Sequence, residues 1–275
     1  MVVENDLKLD KRAVQFSFGN AAHHYHQYAL LQRQVADVLF DRFSADFTGQ
    51  GSILDIGCGT GYFTEKILPL SSTVLAMDMA MPMLTTARQG LGAKPGLFYF
   101  SGDAEVLPLR SGSLDAIVSN LALQWCQNLW AVFTQAYRIL KTEGQLCFST
   151  FGEATLSELR AAWASVDNYS HVNLFMSKER IENLLVTAGF TNIEITTTRY
   201  QPHYPDVIAL MRELKGVGAH NVNQGRSRGL TGKQQLQAVI SAYARLASQV
   251  EGVLATFEVI NVTARKSSSR LRHRG

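Results

Sequence analysis

Residues 12–48 carry Tyr25, Tyr28, Leu31, Val35, Val38 and Leu39 at helical spacing, which predicts a helical lead-in with one face packed on a neighbour. From residue 52 the pattern changes to short apolar runs alternating with amphipathic stretches. Strands are expected at Ser52–Ile56, Thr73–Asp78, Leu97–Ser101, Leu114–Ser119 and Gln145–Thr150, the last entered through a Glu143-Gly144 turn. Helices are expected between them at Tyr62–Pro69, Pro82–Leu91 and Leu129–Leu140, with Pro82 in a first turn. Such alternation predicts right-handed βαβ units and a doubly wound, mostly parallel sheet of α/β class.

The second half reads differently. Leu156–Val166 and Lys178–Ala188 have helical patterns, the latter stopped by Gly189. Ile193–Tyr200 and Ala255–Ala264 alternate as strands. Between them lies residues 201–252, too long for a simple connection. It contains expected helices at Asp206–Leu214 and Lys233–Ala247 around a Gly/Asn-rich loop at Gly216–Gly229. The expected organisation is one domain over residues 1–265, with the lead-in, a ligand-binding core at 52–150 and a substrate insert at 201–252. Residues 266–275 are basic and serine-rich, the composition of a disordered tail.

Composition narrows the class. The chain has 275 residues, enough for a large core, and is 46% hydrophobic and 18% charged, which is globular. A net charge of +3 lacks the strong basic stripe of a nucleic-acid binder. No run reaches the roughly 18 apolar residues that span a membrane. The start, Met1–Lys11, is polar and unlike a secretory signal. Cys58, Cys126 and Cys147 are odd in number and form no CxxC, so reduced thiols in a cytoplasmic protein are expected.

The densest chemistry lies in Ile53-Leu54-Asp55-Ile56-Gly57-Cys58-Gly59-Thr60-Gly61, followed by a helix opening at Tyr62. Glycines here let a ligand press on bare backbone at the carboxyl edge of a parallel sheet. The form is GxGxG; the last glycine of a GxGxxG dinucleotide fingerprint would fall at Tyr62. Asp55 offers a carboxylate to a cationic amine, and S-adenosylmethionine carries one where NAD carries a pyrophosphate. Asp78 ends the second strand, where an acid can accept from ribose hydroxyls, although such a residue taken alone also suits a turn. Asp103 follows the third strand and can receive an adenine amine. Asp115, at the entry of the fourth, reads as structural.

Glycine loop and strand-end acids in this order resemble the class I S-adenosylmethionine-dependent methyltransferases over about residues 52–150. The resemblance implies a Rossmann-like seven-stranded sheet with its last strand antiparallel. It implies that Gly57, Gly59 and Gly61 face the methionine part, Asp78 the ribose, and Asp103 with Ala104 the adenine. Met79 and Asn120 join the implied cofactor contacts. After the fourth strand, Asn120-Leu121-Ala122-Leu123-Gln124-Trp125 stands where enzymes acting on exocyclic amines often carry Pro-Pro-aromatic. Its absence favours oxygen or carbon acceptors, with Gln124 and Trp125 near the methyl group. Trp125 suits a core-capping role equally.

Three segments resemble a narrower family, the malonyl-[acyl-carrier protein] O-methyltransferases of biotin synthesis. They are Phe18-Gly19-Asn20-Ala21-Ala22-His23-His24-Tyr25 leading to Leu31-Gln32-Arg33, the stretch Asn120–Cys126, and Leu214-Lys215-Gly216-Val217-Gly218-Ala219 leading to Gly225-Arg226. This resemblance spans roughly residues 12–264 and implies methylation of the free carboxylate of a malonyl thioester. The implied cofactor is S-adenosyl-L-methionine, leaving S-adenosyl-L-homocysteine, with no metal. The implied partner is an acyl carrier protein bearing the malonyl group, or malonyl-CoA, and neither nucleic acid nor membrane. Carboxylates titrate near pH ~4, so the acceptor is already ionised and needs no strong base. Lys215 and Arg226 are the candidate substrate cations, and Tyr25 a lid over the cofactor. His23, His24 and His26 read as surface or lid residues. Leu174 departs from the family, which often carries arginine there. A methyltransferase acting on a small carboxylic acid or a quinone precursor, and a cofactor-binding protein without turnover, remain open alternatives.

Overall fold

A computed structural model describes residues 9–47, 49–219, 232–247 and 252–267. The chain enters through α1 (Lys11–Ala21), α2 (Tyr25–Tyr28) and α3 (Leu30–Asp46). The core follows as β1 (Ser52–Ile56), α4 (Tyr62–Ile67), β2 (Thr73–Asp78), α5 (Met81–Leu91), β3 (Leu97–Ser101), β4 (Leu114–Asn120), α6 (Leu129–Ile139) and β5 (Leu140–Phe151). Then come α7 (Ser157–Ala164), α8 (Lys178–Ala188), β6 (Thr191–Tyr200), β7 (His203–Tyr204), α9 (Val207–Gly216), α10 (Lys233–Ala247), β8 (Val253–Leu254) and β9 (Phe257–Arg265).

Seven strands form one sheet in the order β3-β2-β1-β4-β5-β9-β6. The first five are parallel, and β9 runs antiparallel between β5 and β6. Successive strand residues point to opposite faces. Leu54, Ile117 and Phe148 therefore pack with α6 and α8, while Ile53, Val118 and Cys147 pack with α3 and α4. Phe133 and Phe43, both fully buried, anchor the two layers, and truncating either to alanine costs about 3–5 kcal/mol.

Strand order places the crevice. The parallel order reverses between β1 and β4, and the loops after β1, β2, β3 and β4 all emerge at one sheet edge. Asp115 stands at the opposite end, where Oδ2 accepts from Ser52 N at 2.8 Å and from Lys141 Nζ at 2.7 Å. That is the structural role expected of it.

The lead-in is not one continuous helix. Ala29, at φ −89° and ψ 37°, breaks it between α2 and α3. Leu31, Val35 and Leu39 are buried, but Val38 faces outward. The strand expected at residue 145 begins at Leu140, and Glu143 keeps a left-handed turn within it at φ +63°. The insert is closed at its neck by the β7–β8 ribbon, a feature two residues per strand leave invisible in the sequence. Tyr243 of α10 is fully buried and donates to Leu254 O at 2.7 Å, tying the insert to that ribbon. Lead-in and insert meet: the ring of Tyr28 lies where a Cβ on Gly216 would stand, and Gly218 lies against Ser17 and Phe18.

Candidate active site

The loop after β1 turns sharply because Gly57 N and Cys58 N both donate to Met77 O, at 2.8 and 2.9 Å. A Cβ at Gly57 would lie 2.3 Å from the Cβ of Ala122, so a side chain there collides with the β4 loop. Gly59 differs: at φ +54°, its absent Cβ would meet nothing within 4 Å. Backbone is left bare toward open space at Gly59. Gly61 at φ +92° faces Leu91 and Ala87 of α5 and lines neither cavity described below. The close approach of α5 is itself a reason for glycine at this position.

Asp55 is 1% exposed. Thr64 Oγ1 donates to its Oδ2 at 2.6 Å, while Oδ1 is buried with no partner. Burial pushes the Asp55 carboxyl up to about 7, the Thr64 bond opposes this, and nearby Asp78 adds to it. Asp78 ends β2 with both oxygens engaged: Oδ2 accepts from Gly59 N at 3.0 Å and Oδ1 from Ala80 N at 2.8 Å. Burial raises its carboxyl, against the pull of those backbone bonds. Each oxygen keeps a lone pair for a hydroxyl donor.

Asp103 is placed beyond β3, and Ala104 beside it is buried. Asp103 Oδ1 accepts from Glu105 N at 3.0 Å, and Oδ2 accepts from Lys11 Nζ at 2.7 Å. Lys11 also pairs with Glu105 at 2.9 Å. Sequence reading missed Lys11, because only tertiary packing of α1 brings it across to the third strand.

Two cavities meet at this edge. The larger, about 100 Å³, is walled by Lys11, Phe18, Ile56, Asp78, Met79, Gly102–Glu105, Leu121–Leu123, Trp125 and Cys126 among others. The smaller, about 40 Å³, is walled by Gln32, Arg33, Asp55, Cys58, Thr60 and Phe63 among others. Tyr25, Gly57, Gly59 and Asn120 line both. Trp125 both lines the larger cavity and packs on Leu9 and Val14, its ring edge-on to Phe18 at 5.3 Å. Burial raises the Tyr25 hydroxyl, which stays protonated at neutral pH.

Leu121 begins the β4 loop in a left-handed conformation, φ +47°. Its N–H donates to Ser149 Oγ at 3.0 Å, and its carbonyl accepts from Gln124 Nε2 at 2.7 Å. Gln124 itself is buried and lies outside both cavities, bonded on its other side to Thr150 Oγ1 at 3.2 Å. It stands behind the wall. Asn120 accepts from Ser149 Oγ at 2.8 Å and donates to Gln32 O at 3.0 Å, joining the sheet to the lead-in.

Lys215 is exposed near the end of α9, outside the cavity walls. Arg226 lies outside the described residues. His23, His24 and His26 are exposed, and no cluster suited to a metal ion occurs among the described residues.

The residues present fit a ligand with a cationic amine. A buried carboxylate oxygen lacks a donor, and a cradle beside Gly59 is open where a Cβ would have filled it. A seven-stranded sheet in this order, with β9 antiparallel between β5 and β6, is the class I methyltransferase fold. A methyltransferase domain model matches residues 54–148. The chain is 41% identical to the malonyl-[acyl-carrier protein] O-methyltransferase of Methylococcus capsulatus, over 94% of each chain. It therefore belongs to the malonyl-[acyl-carrier protein] O-methyltransferase family. It is also 40% identical, over 94% of its length, to the biotin biosynthesis bifunctional protein BioHC of Saccharophagus degradans, of which it spans 47%. Among solved structures, the fold is similar to a phosphoethanolamine N-methyltransferase 2 of Haemonchus contortus in complex with S-adenosyl-L-methionine. The TM-score is 0.56 at 16% identity, covering 90% of this chain and 57% of that one.

Proposed function

We propose that the protein methylates the free carboxylate of a malonyl thioester on acyl carrier protein, using S-adenosyl-L-methionine, as a step of biotin synthesis. The observation that carries the cofactor assignment is the buried, unpartnered Oδ1 of Asp55 beside the open cradle of Gly59. Family membership carries the acceptor. S-Adenosyl-L-methionine supplies an electrophilic methyl group, its C–S bond breaking as the C–O bond of the ester forms, and S-adenosyl-L-homocysteine leaves.

In this reading Asp55 receives the amine, with Gly57 and Gly59 as bare backbone beneath it. Asp78 takes ribose hydroxyls, and Asp103, Ala104 and Met79 border the adenine. Tyr25 roofs the junction between the cavities and Asn120 closes it. Leu121, Leu123 and Trp125 give the reacting end an apolar wall. Water is thereby stripped from a carboxylate whose charge the transfer neutralises, which favours the transition state over the separated ions. An ionised acceptor needs neither strong base nor metal. Three free thiols suit a cytoplasmic setting.

The test compares malonyl-carrier protein, malonyl-CoA and free malonate with labelled S-adenosyl-L-methionine, using mass spectrometry to find the added methyl. Ester formation mainly on the carrier-bound thioester supports the reading. Binding of the cofactor without methylation of any of the three overturns it.

A further inference from the structure

Two further cavities adjoin each other beside α7, apart from the pair that the cofactor reading uses. The first, about 180 Å³, is walled by Leu159 and Trp163 of α7, by His171, and by Met211 and Leu214 of α9 among others. The second, about 280 Å³, shares Trp163, His171 and Val172 with the first and adds Arg160. The first approaches the larger cofactor cavity. Ala219 walls it and packs on the cluster of Leu9, Val14 and Trp125, while Leu121 packs in one cluster with Leu159 and Trp163. Trp125 and Leu121 both wall the larger cofactor cavity.

The shared wall is firmly held. The His171 ring stacks on Trp163 at 3.6 Å and 11°, and its Nε2 bonds both oxygens of Asp167, at 2.8 and 3.0 Å. Asp167 also accepts from Tyr169 N at 2.9 Å, so the one acid among the residues walling the second cavity is committed to its own loop. Arg160 is only partly committed. Its Nη1 and Nη2 donate to the carbonyls of Glu153 and Thr155 at 3.2 and 2.9 Å, while Nε is buried with no partner. Burial works against its charge, and Glu153 opposes this without a side-chain hydrogen bond to it. A half-buried guanidinium with unspent donors and no bonded carboxylate calls for an anion, and a phosphate fits its fork.

An apolar cavity that leads from the cofactor site to a guanidinium matches a ligand with a long neutral body and an anionic end. We propose that this cleft holds the phosphopantetheine arm of the acceptor, with its neutral body against Trp163, Met211 and Leu214 and its phosphate at Arg160. This rests on the acceptor reading above. It gives the arm, common to carrier protein and coenzyme A, a site apart from the contacts to malonyl group and cofactor. Arg212 and Lys215 follow Met211 and Leu214 on α9, which sets an exposed basic face beside the cleft.

Steady-state kinetics on the whole protein compare malonyl-phosphopantetheine with malonyl-pantetheine, which differ only in the phosphate. In wild type the phosphate is expected to raise kcat/KM roughly tenfold, the gain typical of hydrogen bonds to a charged group. In Arg160→Gln that ratio falls to about one. Arg160→Lys restores part of it, because a point charge replaces a fork. Affinity for S-adenosyl-L-homocysteine reports that both variants fold, since Arg160 lines neither cofactor cavity. A wild-type ratio of about one, or a ratio unchanged in Arg160→Gln, overturns the arm site and leaves the malonyl reading intact. Malonyl-carrier protein and malonyl-CoA distinguish the sources of the phosphate. A loss for both in Arg160→Gln is expected; a loss confined to one of them assigns Arg160 to the nucleotide or to the carrier surface and overturns the arm site. A wild-type protein that methylates none of the four removes both readings.

Discussion

Thr64 Oγ1 donates to one oxygen of Asp55 at 2.6 Å, and the other oxygen has no partner. The hydroxyl fixes the carboxylate from inside the helix that the glycine loop opens. The half-satisfied acid is costly to ionise until a cationic ligand arrives, so one residue ties together pH, stability and binding.

Burial raises Asp55 from 3.8 to about 7 in the folded protein. Between about pH 4 and 7 the folded state therefore holds a proton the unfolded state has released. The stability this contributes is fully present below the unfolded value and is lost as pH rises through about 7. Asp55→Asn removes that loss, so the ligand-free variant should melt higher than wild type at pH 8, by a few kcal/mol of stability. The gap should close toward pH 4. Affinity for S-adenosyl-L-homocysteine should rise with pH through about 7 in wild type and fall strongly in the variant. Thermal melts across pH 4–8 and calorimetry at pH 6 and 8 check both arms; a wild-type affinity flat across that interval would contradict the assignment.

Gly59 and Gly61 should fail in different ways. Alanine at either takes a left-handed backbone at a cost of about 1–2 kcal/mol. At Gly59 the new methyl meets open space, so Gly59→Ala should stay folded and lose ligand affinity. At Gly61 the methyl would lie 2.8 Å from Leu91 Cδ1, adding about 1–3 kcal/mol of overpacking. Gly61→Ala should therefore lose more stability and, where it remains folded, bind nearly normally. Denaturant melts beside calorimetry distinguish the pair; equal losses of affinity would return Gly61 to the ligand.

Gln124 holds the left-handed turn at Leu121 through that residue's carbonyl. Gln124→Leu leaves a buried carbonyl short of its donor, at about 1–3 kcal/mol. Thr150→Val removes only the longer bond at 3.2 Å and should cost less, under about 1 kcal/mol. Because Leu121 and Ala122 wall the larger cavity, Gln124→Leu should also weaken cofactor binding. Urea denaturation ranks the two; a larger loss for Thr150→Val would place the support elsewhere.

The strands and most of the helices were legible because alternation and amphipathic spacing report the sheet directly, and Thr73–Asp78 and Lys178–Ala188 fall where the pattern puts them. Asp55, Asp78 and Asp103 were legible because their distance from a strand end is local. Lys11 and Gln32 were not, since each reaches the site only when a lead-in helix docks on strands far along the chain. Gly61 shows the opposite limit: spacing identifies a glycine but not which neighbour forbids its side chain. Lys215 was singled out by its segment, yet Val207, Leu210, Met211 and Leu214, spaced as one helical stripe, take the core side of α9 and leave Lys215 to solvent.

That exposure gives Lys215 a different expected role. Arg212 and Lys215 are both exposed and three residues apart on α9, so they share a face. An acidic carrier protein would be drawn to such a face, an effect on encounter rate that salt screens with a Debye length of about 10 Å at 0.1 M. The double variant R212A/K215A should lower kcat/KM for malonyl-carrier protein several-fold at low ionic strength, and the difference should vanish in high salt. With malonyl-pantetheine, which has the acceptor but no carrier surface, the variant should match wild type. If the small substrate loses as much as the carrier-bound one, Lys215 or Arg212 reaches the malonyl carboxylate itself, and the surface reading is wrong.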